Sequence, residues 1–408
     1  MSSPSVLLLS TFPHQIPRHG GQVRLANLAR TLETGGFAVR SVAVYEPEHY
    51  EAAQLGRHDL DFPPDSPYRL FEGQPQIFLN DLLAGRYIAA DDGGFARLLR
   101  QLPERVDVVL VEQPWLWPAA RRLKQTPQCR DALLVFGTEN IEEHLKRAIF
   151  DSYRYANAPA LAAIAALERE ACQEADLCLA VTQSDLDYFA GFGAKRTLLA
   201  PNGISAWSAG EAKLAQWRTK LPEAPWVLYV ASAHPPNFTG FLECIGHSLA
   251  CIPPDARLVV AGSVGPHIAE RLAASRWHAI NTSRLQVLGV LPDDDLAAVK
   301  SLAHAFLLPI QDGGGSNIKT AEALYSGAYV VGTPTSLRGY ERFRDAERVR
   351  VAGSPAAFQA AIREVLACPA RPLDAEGEAE RQGLRWDRCL LPLPETLKNL
   401  LASRKVAV

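Results

Sequence analysis

Short apolar runs alternate with amphipathic stretches of helical period along the whole chain, the pattern of parallel strands covered by helices on both faces. In the first half the runs 6–10, 39–44, 106–111, 132–136, 177–181 and 197–199 predict strands, with helices at 22–33, 95–102, 159–174 and 185–189 between them. The stretch 47–94 is Pro-rich, acidic and without period, and is expected to be an insertion with short helices on the surface. The pattern breaks at Asn202 and Gly203. A polar helix at 211–220 then leads to a second series of strands at 226–231, 257–261, 285–288, 305–308 and 329–331, and 386–401 reads as a terminal helix. The expected fold class is α/β, with two Rossmann-like, doubly wound parallel-sheet domains at 1–203 and 204–385 and a helical tail at 386–408.

The chain's 408 residues suit two such domains rather than one core. With 42 basic and 45 acidic residues, charge is nearly balanced, so neither a nucleic-acid groove nor a wholesale membrane-binding face is expected. Seven cysteines without a C-x-x-C pair read as reduced core residues of a cytoplasmic protein, not as a disulfide frame or metal site. The opening MSSPSVLLLS lacks a basic leader and is expected to be a first strand, and no uncharged apolar run is long enough to span a bilayer.

Candidate chemistry concentrates in DGGGSNIKTAEALYSGAYVVGT, residues 312–333, which reads as a glycine-rich turn, a helix and a buried strand. Gly313, Gly314 and Gly315 let backbone approach a ligand, and Ser316 is the expected N-cap of a helix whose free N–H groups, with Asn317 and Ile318, would face an anion. Lys319 and Glu322 lie three residues apart and project from one helix face. One cation for a diphosphate and one carboxylate for a pair of ribose hydroxyls suit a nucleotide sugar.

This block resembles the donor-binding segment of GT-B glycosyltransferases, in particular the retaining family 4 (group 1) of nucleotide-sugar transferases. Members of that family usually carry two glutamates with seven residues between them; here the second is Glu322 and the first is replaced by Gly314. The resemblance implies two domains facing a cleft, a C-terminal helix crossing back onto the first domain, and transfer of a hexose to a glycan or glycolipid acceptor with retention, in bacterial surface-polysaccharide assembly. It implies no cofactor and no metal, and it leaves room for peripheral membrane contact. In the second domain it places donor contacts at Ser232 and Asn237, where many members have Arg and Lys, and at Gly262 and Leu291 near the base. In the first domain Gly20 and Gly21 form a strand-to-helix turn before Arg24, an expected phosphate contact. The loops EQPWLWP and GTENIEEHLKR offer Glu139 and Asn140 for chemistry, with Trp115 and His144 for an acceptor. Glu112 is a further acid–base candidate.

Two other classes compete. Asp-x-Asp pairs at 59–61, 185–187 and 293–295 would hold a metal in a GT-A enzyme, but 185–187 sits within a helix, 293–295 is an acidic helix start that the macrodipole favours without a ligand, and 59–61 lies in the insertion and not directly after a buried strand. Loss of the first glutamate and of the Arg/Lys pair suits a scaffold that binds nucleotide or glycan without turnover, or an epimerase on the same fold.

Overall fold

Runs of Val and Leu without alternation demand burial on both faces, and they form two separate all-parallel sheets. A computed structural model describes residues 3–312, 315–370 and 373–406. The chain divides into two compact units, one built from residues up to Asn202 together with the tail from Cys389, the other from Gly203 to Arg388 apart from 314–316.

Among the described residues the main sheet of the first unit has seven strands, β1 Ser5–Ser10, β2 Ala38–Tyr45, β3 Leu60–Asp61, β4 Val108–Glu112, β5 Leu133–Thr138, β6 Leu177–Ala180 and β7 Thr197–Leu199, and a two-stranded antiparallel ribbon, Leu70–Phe71 with Gln74–Pro75, stands apart from it. The order in the main sheet is β3-β2-β1-β4-β5-β6-β7, reversing direction of growth at β1, and every pairing in it is parallel. In such sheets ligands gather beyond the carboxyl ends of the strands, beside the switch point. Helix α1, Gly20–Thr34, follows β1 and starts two residues earlier than its period predicts.

The 47–94 stretch is not a surface insertion. It supplies β3 and a helix, α2 (Asn80–Ala89), which buries Leu82, Leu83, Tyr87 and Ile88 with Phe62 in the main core of this unit. Short helices were expected in this stretch; what differs is that α2 is buried and does not lie on the surface. Helix α3, Glu142–Ser152, likewise occupies sequence read as a loop, and α4, Ala158–Glu174, packs beside it. The tail is broken at 390–391 into a short turn of helix, Trp386–Cys389, and α8, Pro392–Val406, because Pro392 and Pro394 suit only a helix start.

The second unit, among the described residues, has strands β8 Trp226–Val230, β9 Arg257–Ala261, β10 Leu285–Gly289, β11 Ala305–Leu308, β12 Tyr329–Gly332 and β13 Val349–Val351 in the order β10-β9-β8-β11-β12-β13, all parallel. The edge strand β13 is only three residues long and was invisible to periodicity. Helices α5 (Pro235–Ile245), α6 (Asp293–Leu302) and α7 (Ile318–Ser326) matter for the site. Tail helix α8 belongs to the first unit: Pro394 lies where a Cβ on Gly35 would come within 2.5 Å, and Arg404 pairs with Asp176 at 2.7 Å. Among the described residues no helix is long and apolar enough to cross a membrane.

Burial of α2 makes a quantitative expectation. Leu83→Ala, at a site 1 % exposed, should destabilise the first unit by roughly 2–5 kcal/mol, against about 0.5 kcal/mol for a surface insertion. Urea unfolding followed by tryptophan fluorescence measures it.

Candidate functional site

In the second unit the turn after β8 and the start of α7 come together. Asn317, not Ser316, caps α7: its Oδ1 accepts from the Lys319 backbone N–H at 3.0 Å, because an Asx turn reaches the second helical residue. Lys319 Nζ donates to Asn237 Oδ1 at 2.5 Å, and Asn237 Nδ2 donates to the Ser232 carbonyl at 3.0 Å and its Oγ at 3.2 Å. Three residues expected at a donor site therefore form one chain of hydrogen bonds, and burial holds the Lys319 ammonium below its usual pKa, with Glu322 opposing the shift. Gly262, at φ +99°, allows β9 to end against Ala231, whose carbonyl a Cβ there would meet at 2.1 Å. Leu291 sits half-buried ahead of α6, and Ile318 opens α7. Gly315 is left-handed at φ +56°, while Gly313 and Gly314 lie outside the described residues.

Glu322, one turn further along α7, has a partner that sequence reading missed. Lys300 on α6 donates to its Oε1 at 3.1 Å and is only 7 % exposed, whereas Glu322 is 32 % exposed. No motif signals this pair, since Lys300 and Glu322 meet only when α6 and α7 pack on their sheet.

In the first unit the glycine turn leads to a different arrangement. Arg24 lies on the inner face of α1, fully buried: its Nε meets Glu112 Oε1 at 2.5 Å and its Nη1 donates to the Ala200 carbonyl at 2.8 Å and Asn202 Oδ1 at 3.1 Å. The expectation that Arg24 offers its charge to a phosphate fails on this burial. Gly20 opens α1, and Gly21 is glycine for a steric reason, since a Cβ would lie 2.8 Å from Phe12 Cζ and 3.0 Å from Glu139 Oε1. Arg24 Nη2, Glu112 Oε2 and Glu139 Oε1 are buried without hydrogen-bond partners among the described residues. Gln113 follows β4 at φ +69°, a strained position for a residue with a side chain.

The remaining candidates scatter. Trp115 is buried with Lys146 Nζ 5.3 Å from its ring centroid, so it is core and not a platform for a sugar. His144 is 57 % exposed and lies 5.1 Å from the Tyr188 ring. Asn140 is half-buried beside Thr138, whose hydroxyl donates to its carbonyl. Helix Gln183–Gly191 is capped by Thr182, whose Oγ1 accepts from Asp185 N at 3.1 Å. Within the Asp-x-Asp pairs, Asp59 accepts from the Ala43 and Gly56 amides, Asp61 pairs with Arg97, Asp187 accepts from Gln183, and Asp295 is held by Lys213 and Trp217. Among the described residues no group of three His, Cys, Asp or Glu is placed to hold a metal ion.

Residues 19–203 match the model of a glycosyl transferase 4-like domain, and residues 224–368 match that of glycosyl transferases group 1. The chain belongs to the group 1 glycosyltransferases. Sucrose-phosphate synthase from Thermosynechococcus elongatus resembles this glycosyltransferase with a TM-score of 0.68 at 17 % identity, over 98 % of this chain and 100 % of that one. WaaG, a glycosyltransferase involved in lipopolysaccharide biosynthesis, gives 0.58 at 15 % identity over 97 % and 99 %. HepE of Anabaena in complex with UDP and glucose gives 0.57 at 12 % identity over 99 % and 100 %. At these identities the likeness is one of fold, and it agrees with the two parallel-sheet domains described above. No curated protein sequence matches the chain significantly.

The first unit of this glycosyltransferase concentrates carboxylates whose protons are held tightly. Burial, then repulsion from Glu112, pushes Glu139 up to about 7 against the pull of Arg24. Burial takes Glu142 up to about 8 despite Lys146, and Glu168 up to about 7 although it accepts from the Glu142 and Glu143 amides at the head of α3 at 2.6 and 3.0 Å. Each folded pKa lies above the ordinary 4.5, so the folded state binds protons that the unfolded chain has released. Stability of this unit should be full below the ordinary carboxyl range and fall as pH rises through about 7 to about 8. Glu142→Gln should flatten that decline, measured as melting temperature against pH.

Proposed function

We propose that this glycosyltransferase moves a hexose from a nucleoside diphosphate sugar to a hydroxyl of a glycan or glycolipid, with retention and without a metal ion. The observation that carries the reading is Lys319, whose ammonium is pinned by Asn237 at the head of α7 while Glu322 stands one turn behind it. A cation and free helix N–H groups fixed before the reaction stabilise charge as it develops on a departing diphosphate, with no reorganisation needed. Glu322 then accepts from the ribose. HepE, solved with UDP and glucose, supports a donor of this class.

In the first unit Glu139 is the acid–base candidate, since a carboxyl near neutrality can both take and return a proton. The assignment to bacterial surface-glycan assembly, in the cytoplasm and with peripheral membrane contact, rests on family likeness, WaaG being one example. A binding scaffold without turnover is the second reading, favoured by Gly314 in place of the family's first glutamate.

Release of nucleoside diphosphate from a panel of nucleotide sugars, with and without acceptor glycans, separates the two readings. Lys319→Ala should lower kcat by about 100-fold or more, the scale of losing one preorganised stabiliser of leaving-group charge. A folded variant with wild-type kcat would remove Lys319 from the chemistry. Turnover should survive excess EDTA, because Lys319 and backbone N–H groups offset the diphosphate charge; complete loss, restored by magnesium or manganese, would return the metal-dependent reading.

A further inference from the structure

A lysine buried to 7 % exposure is stable only if its charge is compensated, and Lys300 has one hydrogen-bonded partner among the described residues, Glu322 Oε1 at 3.1 Å. Its ammonium also lies 4.8 Å from the centroid of the Trp207 ring. Trp207 in turn packs edge-on against Tyr325 of α7 at 5.6 Å, and Arg381 covers the other ring at 4.8 Å. The indole N–H of Trp207 is buried without a partner, so this ring is placed for its face. Lys300 is therefore buried between the Trp207 ring and the Glu322 carboxylate.

The carboxylate is asymmetric. Oε1 is taken by the ammonium, while Oε2 makes no hydrogen bond among the described residues and the side chain is 32 % exposed. A pair that served stability alone would gain from engaging both carboxylate oxygens, because a single half-exposed contact contributes little. Here the cation is hidden and the anion is presented.

We propose that Lys300 is a positioning residue for donor recognition: it holds Glu322 Oε1 and so keeps the carboxylate in one rotamer, leaving Oε2 free to accept from a vicinal diol, with Trp207 packed over the ammonium. The proposal rests on α7 being the nucleotide-sugar site. It makes Lys300 matter for the ribose and not for the phosphates, which belong to Lys319 and the helix N-terminus.

Isothermal titration with uridine, adenosine and guanosine diphosphates, and separately with inorganic pyrophosphate, tests this in wild type, Lys300→Met, Glu322→Gln and the double variant. Lys300→Met should weaken the preferred nucleoside diphosphate by about 10- to 100-fold, the range for a charge-assisted hydrogen bond, and change pyrophosphate affinity by less than about twofold. In the Glu322→Gln background the same change should have almost no further effect, since Lys300 acts through Glu322. Lys300→Gln, which keeps a donor without the charge, serves if the methionine variant does not fold, and should show the same selective loss. Equal losses for nucleotide and pyrophosphate, or an undiminished effect on the Glu322→Gln background, would reduce Lys300 to a structural support of α7 while leaving the donor reading intact. Failure of the wild type to bind any of the nucleotides would overturn both.

Discussion

The buried ion pair between Arg24 and Glu112 is the contact on which the ligand-facing end of the first unit is built. A guanidinium out of water must be compensated or the fold loses several kcal/mol, about 3–5 when one partner of such a pair is removed. Arg24 is held by three separate parts of the chain: Glu112 at the end of β4, the Ala200 carbonyl after β7, and Asn202. That convergence ties α1 to the centre and the far edge of the sheet. It also explains two glycines, because a Cβ on Gly137 would lie 2.1 Å from Glu112 Oε2 and one on Gly21 would press on Glu139 and Phe12. Glycine here makes room for carboxylates, a role that a phosphate-binding turn would not require.

Burial raises the pKa of Glu139 most, and the same pair adds to it through repulsion from Glu112, so Glu139 keeps its proton to about 7 against the pull of Arg24. Burial beside a structural pair thus produces a group able to exchange protons near neutrality. The strained Gln113 next to Glu112 fits this picture of a strand end whose geometry is held by its surroundings.

The second unit meets the same constraint differently. Lys300 is buried and paired, but its partner Glu322 faces outward, and Lys319 is held by an amide, Asn237, instead of a carboxylate. A neutral partner fixes the ammonium without cancelling its charge, which is what recognition of an anion requires. Ser232 and Asn237 therefore act on the charge already present, by orienting it.

Strand runs at 257–261 and 305–308 coincide residue for residue with β9 and β11, and Gly327 ends α7 in the left-handed region at φ +75° as its place after an apolar helix demands. Those features were legible because both depend on local chemistry: continuous β-branched and Leu runs need burial on two faces, and only glycine adopts that cap without cost. The Lys319–Glu322 spacing, one helical turn on one face, was legible for the same reason. Nothing local distinguishes α2 from a surface helix, Arg24 from a surface cation, Trp115 from a sugar platform, or Lys300 from any lysine on an amphipathic helix. Each was decided by which distant segment packs against it. Burial and charge pairing are properties of contacts between residues as far apart as Arg24 and Asn202, and only the folded chain brings those contacts into being.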